Sequence, residues 1–224
     1  MVEYVCMERK FEFAPEEYYH LYNRGNDKRA IFLINADRER FTKLLYLANG
    51  TKGVSISGLP KNTPLKEIDR GESLVCIGAY CLMPNHFHIL AKERDEGGIS
   101  KFMLKLSTGY SMYFNKRHDR AGSLFEGPFK AKHVDNDSYL EYLYGYIHLN
   151  PIKLQEPKWK EIGIQDMAAA ENYLKEYKYS SYLDYIEDFR DISVIIDKPA
   201  FPEYFASKKE FIDFHRYWLK NAQE

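Results

Sequence analysis

The chain is short of cysteine, of charge excess and of long apolar runs, and each shortage closes off a class of protein. Cysteine occurs three times in 224 residues, as Cys6, Cys76 and Cys81. An odd number without paired-ligand spacing argues against a disulfide scaffold or a cysteine-rich zinc module, and it suits a reducing compartment. No apolar stretch approaches the roughly 18 residues that a membrane-spanning helix needs. The opening MVEYVCMERKFEFAPEE places charges where a signal peptide needs an apolar core. The expectation is a soluble, cytoplasmic protein with no membrane segment. Thirty-two Lys and Arg stand against 33 Asp and Glu, a net charge of −1. That excludes a uniformly basic nucleic-acid wrapper but leaves room for a basic face. Three motifs are also missing: GxxxxGK[ST], HExxH and GxSxG. No nucleotide cofactor is therefore expected, and zinc-protease and serine-hydrolase readings lose their usual support.

Aromatic residues are abundant, with 19 Tyr and 14 Phe. The length fits one ordinary domain or a domain with an appendage, large enough to fold without metal or disulfide support. EYYHLYN (17–23) reads as a strand ending in the turn cluster Arg24-Gly25-Asn26-Asp27. ADRERFTKLLYLAN (36–49) has helical spacing of Phe41, Leu44 and Leu45. Residues 50–73 hold four glycines and two prolines and read as a mobile loop or long hairpin tip. LVCIGAYCLM (74–83) and HFHILAK (86–92) are strand-length runs separated by Pro84-Asn85, which predicts antiparallel neighbours. Residues 98–116 form an amphipathic helix, 129–134 a short strand, and Ser138-x-x-Glu141 opens a further helix as a capping box. Pro151 stops that helix at Asn150. The pattern is α+β, and a ferredoxin-like antiparallel sheet with helices on one face is the simplest arrangement for it. From about residue 156 the composition turns acidic, ten basic against fourteen acidic residues. The division expected is residues 1–155 as the main domain and 156–224 as an acidic, mostly helical C-terminal extension, whose removal leaves the main domain's site intact.

Three constellations carry possible chemistry. His86-Phe87-His88 on a strand projects both imidazoles to one face, with backbones about 7 Å apart, close enough to converge on one metal ion. The same pair also serves as two packed core histidines. Tyr146 and Asn150 in LEYLYGYIHLNP lie one helical turn apart, with Tyr142 a rival one turn earlier. Between Lys101 and His133, seven basic residues (Lys101, Lys105, Lys116, Arg117, Arg120, Lys130, Lys132) face two acidic ones and interleave with aromatics. Such a composition suits single-stranded nucleic acid, phosphates on the cations and bases on the rings, and equally a solvated face.

In order along the chain, YYHLYNRGNDKRAIF, CLMPNHFHIL, GSLFEGPFKAKHV, YIHLNPIK and YKYSSY resemble the single-tyrosine HUH transposases. The REP-associated tyrosine transposases, relatives of small bacterial insertion-sequence transposases, are the nearest branch. The likeness runs from about Tyr18 to Tyr185. It implies a ferredoxin-like fold, a homodimer, a divalent magnesium or manganese ion, and single-stranded DNA carrying hairpins as the partner. It further implies His86, His88 and Asn150 as metal ligands and Tyr146, rather than Tyr142, as the nucleophile that forms a 5′-phosphotyrosine. Arg24, Asn26, Lys105, Lys116, Arg117, Arg120, Lys130 and Lys132 are the candidate DNA contacts. One departure is Pro128 in LFEGPFK, where the family commonly carries Arg. The choice of ion runs against raw ligand preference, since imidazole favours zinc, nickel or copper. Two other readings follow from the same residues. One is a domesticated protein that binds repeat hairpins without transposition. The other is a zinc-dependent hydrolase in which the tyrosine is dispensable.

Overall fold

The computed structural model describes residues 12–60, 63–187 and 190–221; Cys6 lies outside them. The chain alternates β1 (Tyr18–Arg24), α1 (Asn35–Leu47), β2 (Val75–Met83), β3 (His86–Glu93), α2 (Gly98–Arg117) and β4 (Lys130–Val134). The strands lie in the order β2-β3-β1-β4 with every neighbouring pair antiparallel, which is the ferredoxin-like, α+β arrangement. Pro84-Asn85 forms the two-residue link that pairs Met83 with His86. This tip is fixed to the segment after β1. The Pro84 carbonyl accepts from the Ile31 N–H at 2.9 Å, and the Asn85 carbonyl from the Gly25 N–H at 2.8 Å.

Alternation along the strands gives the sheet two apolar faces. Leu21, Tyr80, Leu82, Phe87 and Ile89 pack with Phe41 and Leu45 of α1 and Phe102, Leu106 and Tyr110 of α2. Cys81, Met83, Leu90 and Val134 pack with Leu140, Leu143, Tyr144 and Ile147 of α3 (Asp137–Leu149). The two crossover helices thus share one face as expected, and α3 adds a layer on the other. All nine residues of β2 are buried in consequence, and this is why VCIGAYCLM reads as a continuous apolar run. The cap of α3 is Asn136, whose Oδ1 accepts the Tyr139 N–H at 2.8 Å, so the helix opens at Asp137 and the Ser138–Glu141 box is not its start. The 50–73 connection, expected to be mobile, is tied down at its base. The Arg70 guanidinium lies 4.1 Å from the Tyr46 ring centroid and donates to the Tyr46 carbonyl at 3.1 Å.

The C-terminal segment contributes α4 (Trp159–Ile162), α5 (Met167–Glu176), α6 (Tyr182–Ile186) and α7 (Lys208–Lys220). It is laced into the sheet. The Leu82 N–H donates to the Tyr179 carbonyl and the Ser181 N–H to the Tyr80 carbonyl, both at 2.9 Å, so residues 179–181 cover the outer edge of β2. At the β2 bulge, a Cβ on Gly78 would stand 2.7 Å from the Phe201 ring, and Tyr185 donates its hydroxyl to the Gly78 carbonyl at 2.7 Å. Deleting residues 156–224 uncovers this edge and the Leu149–Ile152 end of α3. The truncated chain is therefore expected to lose cooperative thermal unfolding, followed by circular dichroism. A sharp, reversible transition in that variant would show that the extension is dispensable.

Candidate active site

Period-two geometry in β3 sends Phe87 and Ile89 into the α1/α2 core and leaves His86 and His88 on the α3 face, ring centroids 5.0 Å apart. β1 runs alongside, with Tyr22 opposite His88 and His20 one alternate position further along. α3 crosses this face and sets the Tyr146 ring 5.3 Å from His88 and 5.7 Å from His20. Tyr142 packs instead among Tyr146, Tyr139 and Trp218, so Tyr146 is the one of the two that faces the histidines. Asn150 keeps helical angles (φ −53°, ψ −40°) although it precedes Pro151, a position usually pushed out of the helical region. The α-helix ends at Leu149, and Asn150 opens a 3-10 turn, Asn150–Leu154. Asn150 Nδ2 donates to the Tyr146 carbonyl at 2.9 Å, while its Oδ1 is buried without a partner. A buried acceptor left unpaired is costly, so this oxygen is an atom waiting for a ligand.

Hydrogen bonds constrain the ring protons. Asn85 Nδ2 donates to the Lys28 carbonyl at 3.0 Å, which leaves Asn85 Oδ1 facing His86 Nδ1 at 2.7 Å. An amide oxygen only accepts, so His86 carries its proton on Nδ1 and its Nε2 lone pair is free. His88 Nδ1 lies 2.9 Å from His20 Nε2, both rings buried. This contact has one proton, from either ring; the tautomer with the proton on His88 Nδ1 would leave His88 Nε2 free in the same way. Burial pushes His86 down to about 4, with the charges of Lys153 and Arg24 adding to it. Burial likewise takes His20 to about 4, helped by Lys132, and holds His88 well below the ordinary imidazole value. Both candidate ligands are therefore neutral at pH 7. The Tyr146 hydroxyl is raised above the ordinary phenol range by burial, and the Asn150 side chain pulls in the opposite direction. Among the described residues no cluster of three His, Cys, Asp or Glu side chains forms a metal site. Two neutral imidazoles and the orphaned Asn150 amide oxygen are donors of the kind that could hold a divalent ion with open positions.

These side chains line a cleft of about 360 Å³. Of the candidate DNA contacts, Arg24 and Lys130 line it as well, Arg24 held by Glu126 at 2.6 Å. Lys132 sits on the same sheet face, opposite His20, with its ammonium 4.1 Å from the Tyr139 ring. Asn26 stands exposed in the turn after β1, and Lys116 and Arg117 are exposed at the C-terminal end of α2. Arg120 lies over the Phe114 ring at 5.8 Å. Lys105 is elsewhere: its ammonium donates to the Gly50 carbonyl and fastens the 50–73 connection. A larger hollow of about 690 Å³ lies against Tyr144, Tyr185 and Phe205 and contains neither the histidines nor Tyr146.

Sequence reasoning missed four participants. His20 shares a face with Tyr22 by simple alternation, but which face became legible only with the strand register. Asn85, read as a turn residue, also orients His86. Lys153 lines the cleft one turn past Asn150, and Lys160 places its ammonium 5.0 Å from the Tyr146 ring centroid.

Residues 66–150 match the family model described as "Transposase IS200 like". That segment contains β2, β3, α2, β4 and α3, and all four of His86, His88, Tyr146 and Asn150 fall inside it. A solved structure of a REP-associated tyrosine transposase bound to a REP hairpin is similar to this chain with a TM-score of 0.52 and 12% identity, over 90% of this chain and 92% of that one. At that identity the likeness bears on the fold. No curated protein matches the chain. No helix among the described residues is long and apolar enough to cross a membrane.

Proposed function

We propose that the chain, whose residues 66–150 match the model described as "Transposase IS200 like", is a metal-dependent single-stranded DNA endonuclease and strand transferase acting on hairpin-bearing DNA in the cytoplasm. The observation that carries the reading is the meeting of Tyr146 with two neutral histidines and the unpartnered Asn150 oxygen in one cation-lined cleft.

His86 Nε2, His88 Nε2 and Asn150 Oδ1 are the atoms that would hold a divalent ion, magnesium or manganese. When bound, such an ion polarises the scissile phosphate and stabilises charge growing on its oxygens. The protein's part is positioning. A phenol near pKa 10 is a weak nucleophile at neutral pH, and burial of Tyr146 weakens it further. The helix fixes the hydroxyl beside the phosphate site, so attack is an intramolecular step. Tyr146 Oη bonds to phosphorus, the P–O3′ bond breaks, the 3′ oxygen takes up a proton, and the phenolic proton leaves to solvent. A 5′-phosphotyrosine and a free 3′-OH result. The phosphodiester count is preserved, so another 3′-OH can reverse the step without a nucleotide cofactor. The reading brings a homodimer with it, and each copy holds a full set of Tyr146, His86, His88 and Asn150.

The test is a library of end-labelled single-stranded hairpins incubated with the protein and magnesium or manganese, or with chelator. Metal-dependent transfer of label to protein on a denaturing gel is expected. Hairpin binding without any adduct, under every ion tried, would replace the enzyme by a domesticated hairpin-binding protein. His20 gives a second check. Replacing it by alanine removes the hydrogen-bond partner of His88 Nδ1, and manganese affinity is expected to fall about 10- to 100-fold by titration calorimetry. Unchanged affinity would leave His20 as packing alone.

A further inference from the structure

We infer that Lys153 and Lys160 form a phosphate-binding pair beside Tyr146, so that the C-terminal segment supplies a residue to the active site. The inference rests on the reading of Tyr146 as the nucleophile but is separable from it by experiment. Lys153 follows Asn150 in the 3-10 turn and lines the cleft with His86 and Tyr146. Lys160 belongs to α4, beyond residue 155, and its ammonium lies 5.0 Å from the Tyr146 ring and 5.5 Å from the Trp159 ring. Both side chains are half-buried.

Among the described residues neither lysine has a carboxylate within ion-pair distance, whereas Arg24, which lines the cleft with Lys153, is paired with Glu126. Burial lowers the proton affinity of Lys160, and the charge of Lys153 lowers it further. Contact with aromatic faces offsets only part of the cost of desolvating an ammonium. Two partly buried like charges without a counter-ion, converging on a nucleophile, describe a site that an anion completes. A phosphodiester fits best. It carries one negative charge before attack and one in the phosphotyrosine state, so the same pair holds it throughout. A lysine packed only on an aromatic wall would show no such preference for an anion.

The experiment measures binding of the dinucleotide thymidylyl-thymidine, the smallest phosphodiester strand, to the full chain by calorimetry at low salt, with inorganic phosphate as a second ligand. Lys153→Met, Lys160→Met and the double variant keep the alkyl stems and remove the charge; the corresponding arginine variants restore it. Each methionine variant is expected to weaken the dinucleotide about tenfold, and each arginine variant to stay within about threefold of wild type. Adduct formation in a single turnover is expected to slow at least tenfold in Lys160→Met, with manganese affinity unchanged. Dinucleotide affinity within twofold of wild type in the double variant overturns the pair, whether or not the wild type cleaves DNA. So does a wild type that fails to bind the dinucleotide, or one that prefers inorganic phosphate. Charge-dependent dinucleotide binding in a protein that forms no tyrosine adduct keeps the pair and removes the nickase.

Discussion

Tyr146→Phe is expected to abolish the covalent protein–DNA adduct, a loss of at least ~1,000-fold in single-turnover rate, while hairpin affinity and manganese affinity stay within about twofold. The substitution removes one atom. The phenylalanine ring keeps the face-to-edge contacts with His88 at 5.3 Å and His20 at 5.7 Å and the neighbourhood of Tyr142 at 5.9 Å. The β3 strand with His86 and His88 and the Asn150 bond to the backbone carbonyl of residue 146 do not depend on the hydroxyl. What disappears is the only oxygen of that side chain able to bond to phosphorus. Tyr142→Phe is the control, expected within a few-fold of wild type, because its ring packs between Tyr139, Tyr146 and Trp218 rather than against the histidines. Cleavage retained in Tyr146→Phe, with water as the attacking group, would transfer the site to a zinc-type hydrolase. Adduct retained in Tyr146→Phe but lost in Tyr142→Phe would move the nucleophile one turn along α3.

The strands and crossover helices were legible in the sequence because each has a simple period. His86-Phe87-His88 alternates, and burial of Phe87 on one face forces both imidazoles onto the other. Helical spacing between Tyr146 and Asn150 needed only helical backbone angles as far as residue 150, which Asn150 keeps in spite of Pro151 although α3 ends at Leu149. Interactions between elements left no such signature. His20 reads as one more residue of an aromatic strand until β1 is set in register against β3, and only then does it meet His88. The same holds for the C-terminal segment. Its composition points to an acidic, mostly helical extension, and the contacts that fix it are backbone pairs to β2 and buried rings, neither of which net charge reports. Lys105 shows the converse error. It belongs to a basic run by composition, but its ammonium is spent on the Gly50 carbonyl. Charge in a sequence does not say which cations the fold has already used.

Acid is expected to unfold the protein through a pair of histidines outside the candidate site. His215 of α7 and His148 of α3 are both buried, and their protons run in one direction. His215 Nδ1 donates to the Phe211 carbonyl at 2.7 Å, so its Nε2 accepts from His148 Nδ1 at 3.2 Å. His148 Nε2 then accepts from the Ser181 hydroxyl at 2.8 Å, and the Ser181 oxygen accepts the Tyr80 N–H at 2.8 Å. The chain joins α7, α3, the 179–181 edge and β2, and it works only with each imidazole neutral. Burial lowers His215 from 6.5 to about 4, against the pull of the Phe211 and Tyr144 carbonyls, and the rings of Phe211, Phe214 and Tyr182 surround it. The folded state therefore binds fewer protons than the unfolded state between pH 6.5 and 4. Its contribution is complete above pH 6.5, is lost progressively down to pH 4, and falls no further below. A depression of that size corresponds to ~3 kcal/mol for His215. His148 sits between Tyr146 and Asn150, and a Cβ on Gly145 would stand only 3.2 Å from the Trp218 ring, so loosening α7 also frees the helix that carries Tyr146. Urea unfolding between pH 7 and 4.5 checks this with His215→Gln, whose amide oxygen accepts the His148 proton but does not titrate. Wild type is expected to lose about one proton's worth of stability more than the variant across this range, read from the difference in slope. Parallel slopes would mean that His215 remains neutral in the unfolded chain or reaches solvent in the folded one, and the proton chain would then have no part in holding α3 against α7.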